Sequence, residues 1–140
     1  MADLPGRAEA ALFFANDSDA FALFLLLHGQ LLAAWPKSAL KVQKTQITFL
    51  DPRGYCFVWL PRRGPGSLGV SFGLGYELKS PRLFQVAHPT PRRWTHHVIV
   101  TRPAQLDGEL LDWLSQAHAL MWAGRLRRAW ARGIVAKPIP

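Results

Sequence analysis

Leu68-Gly69-Val70-Ser71-Phe72-Gly73-Leu74-Gly75-Tyr76 alternates without a break. In an extended chain, successive side chains point to opposite faces. Leu68, Val70, Phe72 and Leu74 then form one apolar face, and Gly69, Ser71, Gly73 and Gly75 form the other. The first face must be covered by other apolar residues. The second has almost no side chains, so another group can approach the backbone closely there. Short loops join this strand to its neighbours, which makes them antiparallel.

Three further segments read as strands. Val42–Leu50 alternates, with Thr45, Ile47 and Phe49 on one face and Lys44, Gln46 and Thr48 on the other. Asp51-Pro52-Arg53-Gly54 has the residues of a turn, and Tyr55–Leu60 returns from it. Pro61–Gly66 is a basic loop. Trp94–Thr101 is the fourth strand, with Trp94, His96, Val98 and Val100 on one face.

Helices flank these strands. Asp17 or Ser18 can cap a helix that runs to about Trp35, where Pro36 stops it. Phe21, Phe24, Leu25, His28, Leu32 and Trp35 make its main apolar stripe, and Leu23, Leu26 and Leu27 spread around the back. A helix this apolar is buried on more than one side, under either Ala8–Ala15 or a second copy of the chain. His28 lies within the stripe and reads as a core residue. Ser80-Pro81 has the residues that open a short helix, expected through Val86. Asp107 can cap the last helix, whose inner face carries Leu110, Leu114, Ala117 and Met121. The expected fold is α+β, an antiparallel sheet of about four strands with helices packed on one face. One domain is expected over residues 1–140: an N-terminal segment 1–17, a core 18–123, and a basic helical tail 124–140. Trp122, Leu126, Ala129 and Trp130 share a stripe that continues the last helix and is expected to finish the core; the competing reading is a basic amphipathic extension that touches nucleic acid or an acidic partner.

Composition narrows the function. A chain of 140 residues hides roughly two-thirds of its unfolded surface and can hold a core without staples. Seventeen Lys and Arg against nine Asp and Glu give a net charge of +8, which favours polyanionic partners such as nucleic acid. The competing reading is that solvated Arg side chains need no ligand. Cys56 stands alone, so no intrachain disulfide can form, and a reducing, cytoplasmic location is expected. Ala20–Leu27 follows acidic residues and falls well short of the roughly 20 apolar residues of a membrane span. It therefore reads as neither a signal peptide nor an anchor.

The usual catalytic patterns do not emerge. His96 and His97 are adjacent on a strand and point to opposite faces, so they cannot share a metal. Cys56 lies in an apolar strand, where its thiol is poorly ionised. No Gly-x-Ser-x-Gly turn is present, and the alternating glycines do not form a phosphate loop. No catalytic residue, metal or cofactor is assigned, and an enzyme is the less favoured class. What remains is basic and aromatic. Lys44, Arg82, Arg93 and His96, if they meet, would hold a phosphate or carboxylate, with Trp94 or Trp59 as a stacking surface. Arg82 adds the amides of the expected short helix. The competing reading has Lys44 solvated and the Arg stems covering apolar surface.

Taken in order, Val42–Phe49, Phe57–Pro61, Leu68–Leu74, Ser80-Pro81-Arg82, Arg93-Trp94-Thr95-His96-His97 and Ala104-Gln105-Leu106-Asp107 resemble a bacterial family catalogued as domain of unknown function 5655. The likeness covers about residues 12 to 122. It implies a small cytoplasmic α+β domain with no assigned activity. Lys44, Gln46, Trp59, Arg82, Trp94, His96 and His97 match the family's recurring polar and aromatic positions. His118 stands where the family usually shows Tyr. The expected function is a non-enzymatic binding module for a phosphate-containing anion, nucleic acid foremost, through Lys44, Gln46, Trp59, Arg82, Arg93, Trp94 and His96. The alternative is a protein-interaction domain that forms a homodimer through its N-terminal helix and the Gly-rich strand face.

Overall fold

In the computed structural model we describe residues 6–133, and for residues 125–131 the backbone only. The order is α1 (Arg7–Phe13), α2 (Ser18–Ala34), β1 (Ala39–Val42), β2 (Ile47–Leu50), β3 (Gly54–Trp59), β4 (Leu68–Leu74), β5 (Leu83–Thr90), β6 (Arg93–Val100), a 3-10 turn (Pro103–Gln105) and α3 (Gly108–Ala131). The strands form one antiparallel sheet in the order β1-β2-β3-β4-β6-β5. The α+β class is thus as expected, but the sheet has six strands, not about four.

Both extra strands have physical causes. The segment Val42–Leu50 does not run straight. Gln43 N–H donates to Gln46 O at 2.9 Å, closing a turn that folds β1 back on β2, with Leu40 opposite Phe49. The expected helix from Ser80 to Val86 is instead the start of β5. Ser80 closes only one turn, in which Leu83 N–H donates to its carbonyl at 3.2 Å. Leu83 onward then pairs with β6. A single helical turn gains little by itself, so ladder pairing with a neighbouring strand prevails. Pro89 is tolerated because β5 is an edge strand.

The central strand behaves as its alternation demands. Leu68, Val70, Phe72 and Leu74 are all at most 2% exposed and lie opposite Val100, Val98, His96 and Trp94 of β6. Ile47, Phe49, Cys56 and Val58 extend this core face across β2 and β3. The helices cover it with Phe24, Leu27 and Leu31 of α2 and Leu110, Trp113, Leu114 and Ala117 of α3. Each large aliphatic or Phe side chain so buried contributes roughly 1.5–3 kcal/mol.

Helix caps fall where the sequence places them. Asp17 Oδ1 accepts from Ala20 N–H at 3.0 Å, and Asp107 Oδ1 from Leu110 N–H at 3.0 Å. The second carboxylate oxygen of Asp17 accepts from Gly66 N–H at 2.9 Å, tying the basic loop to α2. The chain itself covers the back of α2: Ala10 is buried, and Phe14 packs on Phe21 and Phe24 with ring centroids 5.6 and 5.1 Å apart. Leu23 and Leu27 are buried as a result, and only Leu26 of that set is exposed, at 47%. The stripe expected to finish the core departs from that reading at Trp122, which is 43% exposed. Its members Leu126, Ala129 and Trp130 lie outside the described side chains. No described helix is long and apolar enough to cross a membrane.

Two irregularities redirect aromatic side chains. Phe49 pairs with Cys56 while Leu50 pairs with Gly54, so Tyr55 is the extra residue of a bulge. It turns inward, where its hydroxyl shares a 2.8 Å hydrogen bond with Ser38 Oγ. Leu83 pairs with Val98 while Gln85 pairs with His97, so Phe84 is the extra residue of a second bulge. Phe84 turns outward, away from the helices, and is 60% exposed.

Candidate binding face of the sheet

The face away from the helices is not empty. Trp59 is paired with Gly69, and a Cβ added at Gly69 would overlap the indole ring. The bare strand face therefore receives the protein's own Trp59, which reaches across β4. At the end of this reach Trp59 Nε1 donates to Ser71 Oγ at 2.7 Å, and Ser71 Oγ is 2.6 Å from His97 Nδ1. Arg93 repeats the arrangement at the other end, with its Cδ lying over Gly73.

The Trp59–Ser71–His97 chain has one assignment that satisfies its buried groups. Ser71 is 4% exposed. Its oxygen accepts from the indole, so its proton is free to go to His97 Nδ1. The opposite sense would leave the buried hydroxyl proton without an acceptor. His97 is then neutral, with its proton on Nε2, and burial lowers its pKa in agreement. No carboxylate orients this imidazole among the described residues, so the pair lacks the third member of a nucleophilic triad.

Around this chain lie three adjoining depressions. The first, about 390 Å³, is lined by Gln46, Phe57, Trp59, Phe84, Gln85 and His97, among others. The second, about 560 Å³, shares Gln46 and Phe57 and adds Lys41, Gln43 and Arg53. The third, about 220 Å³, shares Phe57 and adds Arg93, but it is also lined by Tyr55 and by Ala117 and Met121 of α3, so it lies where the sheet meets that helix. None of the described residues lining the three is acidic.

The structure disperses the cationic cluster expected from the sequence. Of its members, Gln46 and Trp59 line the bare face, and Arg93 lines the third depression, where its Nη1 lies 3.9 Å from Met121 Sδ of α3. Lys44 lies in the β1–β2 turn, beside Glu9 and Phe13 of α1. Arg82 is consumed internally: it donates to Asp107, to Glu109 and to the carbonyl of Gln105, at 2.8–3.2 Å, and lies 5.5 Å over the Trp113 ring. It opens no helix of its own, and the helix start it meets, that of α3, is already occupied by Asp107 and Glu109. Trp94 stacks on His88 with ring centroids 4.0 Å apart. His96 is fully buried on the core face, stacked on Phe72, and its Nε2 accepts from Leu78 N–H at 2.9 Å. Burial lowers its pKa. Phe57, Ser71, Phe84, Gln85, His97, Lys41 and Arg53 line this candidate face but are not among the ligand-binding residues expected from the sequence. Strand parity could have found Phe57 and Ser71, which share a face with Trp59 and Gly69. Phe84 could not be found this way, because its bulge breaks the parity.

His118 is also structural. It stacks on Trp35 at 4.3 Å, meets the edge of Tyr55, and its Nε2 is 2.8 Å from Asp51 Oδ2. Among the described residues, no three His, Cys, Asp or Glu side chains gather as a metal site.

Comparison with known proteins bears on this face. Residues 10–121 match the family model described as Domain of unknown function (DUF5655). The chain belongs to this family. The match takes in α2, all six strands and most of α3, so both the core and the bare face lie within the family's domain. No curated protein and no solved structure matches the chain.

Proposed function

We propose that this member of the DUF5655 family is a binding module whose bare sheet face holds a phosphate-bearing ligand, nucleic acid foremost, without covalent chemistry. The observation that carries this reading is the charge distribution. The three depressions contain Lys41, Arg53 and Arg93 beside aromatic rings and no carboxylate. The described acidic residues lie elsewhere: Glu9 on α1, Asp17 and Asp19 at the start of α2, and Asp107, Glu109 and Asp112 at the start of α3. Asp51 is held by His118, and Glu77 by Lys79. A surface of one sign in a chain of net charge +8 attracts polyanions and concentrates them there.

The test is Lys41→Ala with Arg53→Ala. Both side chains are exposed, so folding should be unaffected. Binding of a fluorescein-labelled oligonucleotide is measured by anisotropy across a salt titration. If each cation neutralises one phosphate, the slope of log K against log salt should become shallower by roughly 1.4–1.8. Absence of binding by the wild type at low salt, or an unchanged slope in the variant, overturns the reading.

A further inference from the structure

We infer that the first depression takes a single unpaired base, so that the ligand is a nucleoside phosphate, and its source is single-stranded nucleic acid or a free nucleotide but not a duplex. This rests on the reading of the bare face as a phosphate-binding surface.

One face of the Trp59 indole lies against the Gly69 backbone, which leaves the other face to the depression. Phe84, turned out by its bulge, stands across from it with ring centroids 6.4 Å apart at 44°. The two rings are too tilted to stack on each other and together form an open aromatic corner. Aromatic side chains on an exposed sheet are platforms for bases because every base has a π-face. In a duplex those faces are covered by neighbouring base pairs, so only an unpaired base can enter. The walls also offer the groups that a base edge needs. Gln46 and Gln85 each bring an amide donor and acceptor, and His97 brings the Nε2–H donor fixed by the Trp59–Ser71 chain. The adjoining depression shares Gln46 and Phe57 and brings Lys41 and Arg53. A base in the first therefore places its phosphate over cations in the second. The volume of about 390 Å³ lies at the lower end of small-ligand sites, roughly 300–1,000 Å³.

Phe84→Ala tests this without touching the core, since Phe84 is 60% exposed. Four probes are compared by anisotropy or competition at fixed salt: a single-stranded decanucleotide, the same sequence as a duplex, adenosine monophosphate, and inorganic polyphosphate of similar charge. The expected result is preference for the single strand over duplex and polyphosphate. The variant should then lose about 5- to 150-fold in affinity for the single strand, the range of base–aromatic stacking, and nothing for polyphosphate. Competition by the mononucleotide would place the source in free nucleotides, and binding of the oligomer alone would place it in nucleic acid; both support the inference. Equal affinity for single strand, duplex and polyphosphate, with no effect of Phe84→Ala, overturns it and leaves the phosphate reading standing. No binding of any probe overturns both.

Discussion

The Trp59 indole occupies the space that a side chain at Gly69 would need, and from there it donates a hydrogen bond to Ser71. The glycine makes room for the ring, and the ring positions His97 through Ser71. The Gly-rich face of β4 thus serves as a bed for side chains arriving from β3 and β6.

Gly69→Ala should therefore destabilise the fold. A stiff indole must swing away and lose its bond to Ser71, an overpacking cost of roughly 1–3 kcal/mol. Gly29→Ala should act in the opposite direction. Gly29 is an exposed residue within α2, and no atom lies within 4 Å of an added Cβ. The gain from helix propensity is roughly 0.5–1 kcal/mol. Urea unfolding of the two variants checks both signs, and a neutral Gly69→Ala would show that Trp59 has another way to lie.

Arg82 should prove a structural residue. Arg82→Ala removes its bonds to Asp107, Glu109 and the Gln105 carbonyl, together with packing on Trp113. Its side chain is only 23% exposed, so a loss of roughly 1–3 kcal/mol is expected, with unchanged oligonucleotide affinity. The Leu110 N–H and the Arg82 guanidinium hold the Asp107 carboxyl below its usual range. The stability this contributes is present above the ordinary carboxylate pKa of about 3.9 and is lost as pH falls through the depressed value. A variant with wild-type stability and weakened binding would return Arg82 to the ligand site.

Stability should also fall in mild acid. His28 is buried between Phe24 and Phe49, and among the described residues neither ring nitrogen has a hydrogen-bond partner. Burial lowers its pKa, as it does for His96 and His97. The unfolded chain takes up these protons near pH 6.5, before the folded chain does. Stability is then complete above that pH and declines below it, by up to roughly 1.4 kcal/mol per pH unit for each such His. Unfolding free energies at pH 7.5, 6.5 and 5.5 measure the decline. His28→Leu should reduce the slope, and an unchanged slope would remove His28 from the account.

Cys56 should be inert in the native protein. It is fully buried and burial pushes its thiol pKa up strongly, so thiolate is scarce at neutral pH. A chromogenic disulfide reagent should titrate one thiol per chain in denaturant and almost none without it. Rapid reaction under native conditions would mean that β3 opens locally.

The amino-acid sequence by itself determined the properties that are local. Strict alternation in β4 named its core face, and Asp17 and Asp107 named the helix starts. Alternation and capping depend on neighbours a few residues away, so they can be read from one segment at a time. Only the tertiary structure decided which cations are free. Arg82 meets Asp107 and Glu109, whereas among the described residues no carboxylate lines the depression that holds Lys41 and Arg53. That sorting depends on pairing between distant segments. The bulges at Tyr55 and Phe84 arise the same way, since a one-residue slip in register turns a side chain to the other face. The fourth strand's His96 and His97 show both levels. Their opposite directions follow from alternation, but only the sheet's place against the helices buries the first among aromatics and leaves the second beside Ser71 on the bare face.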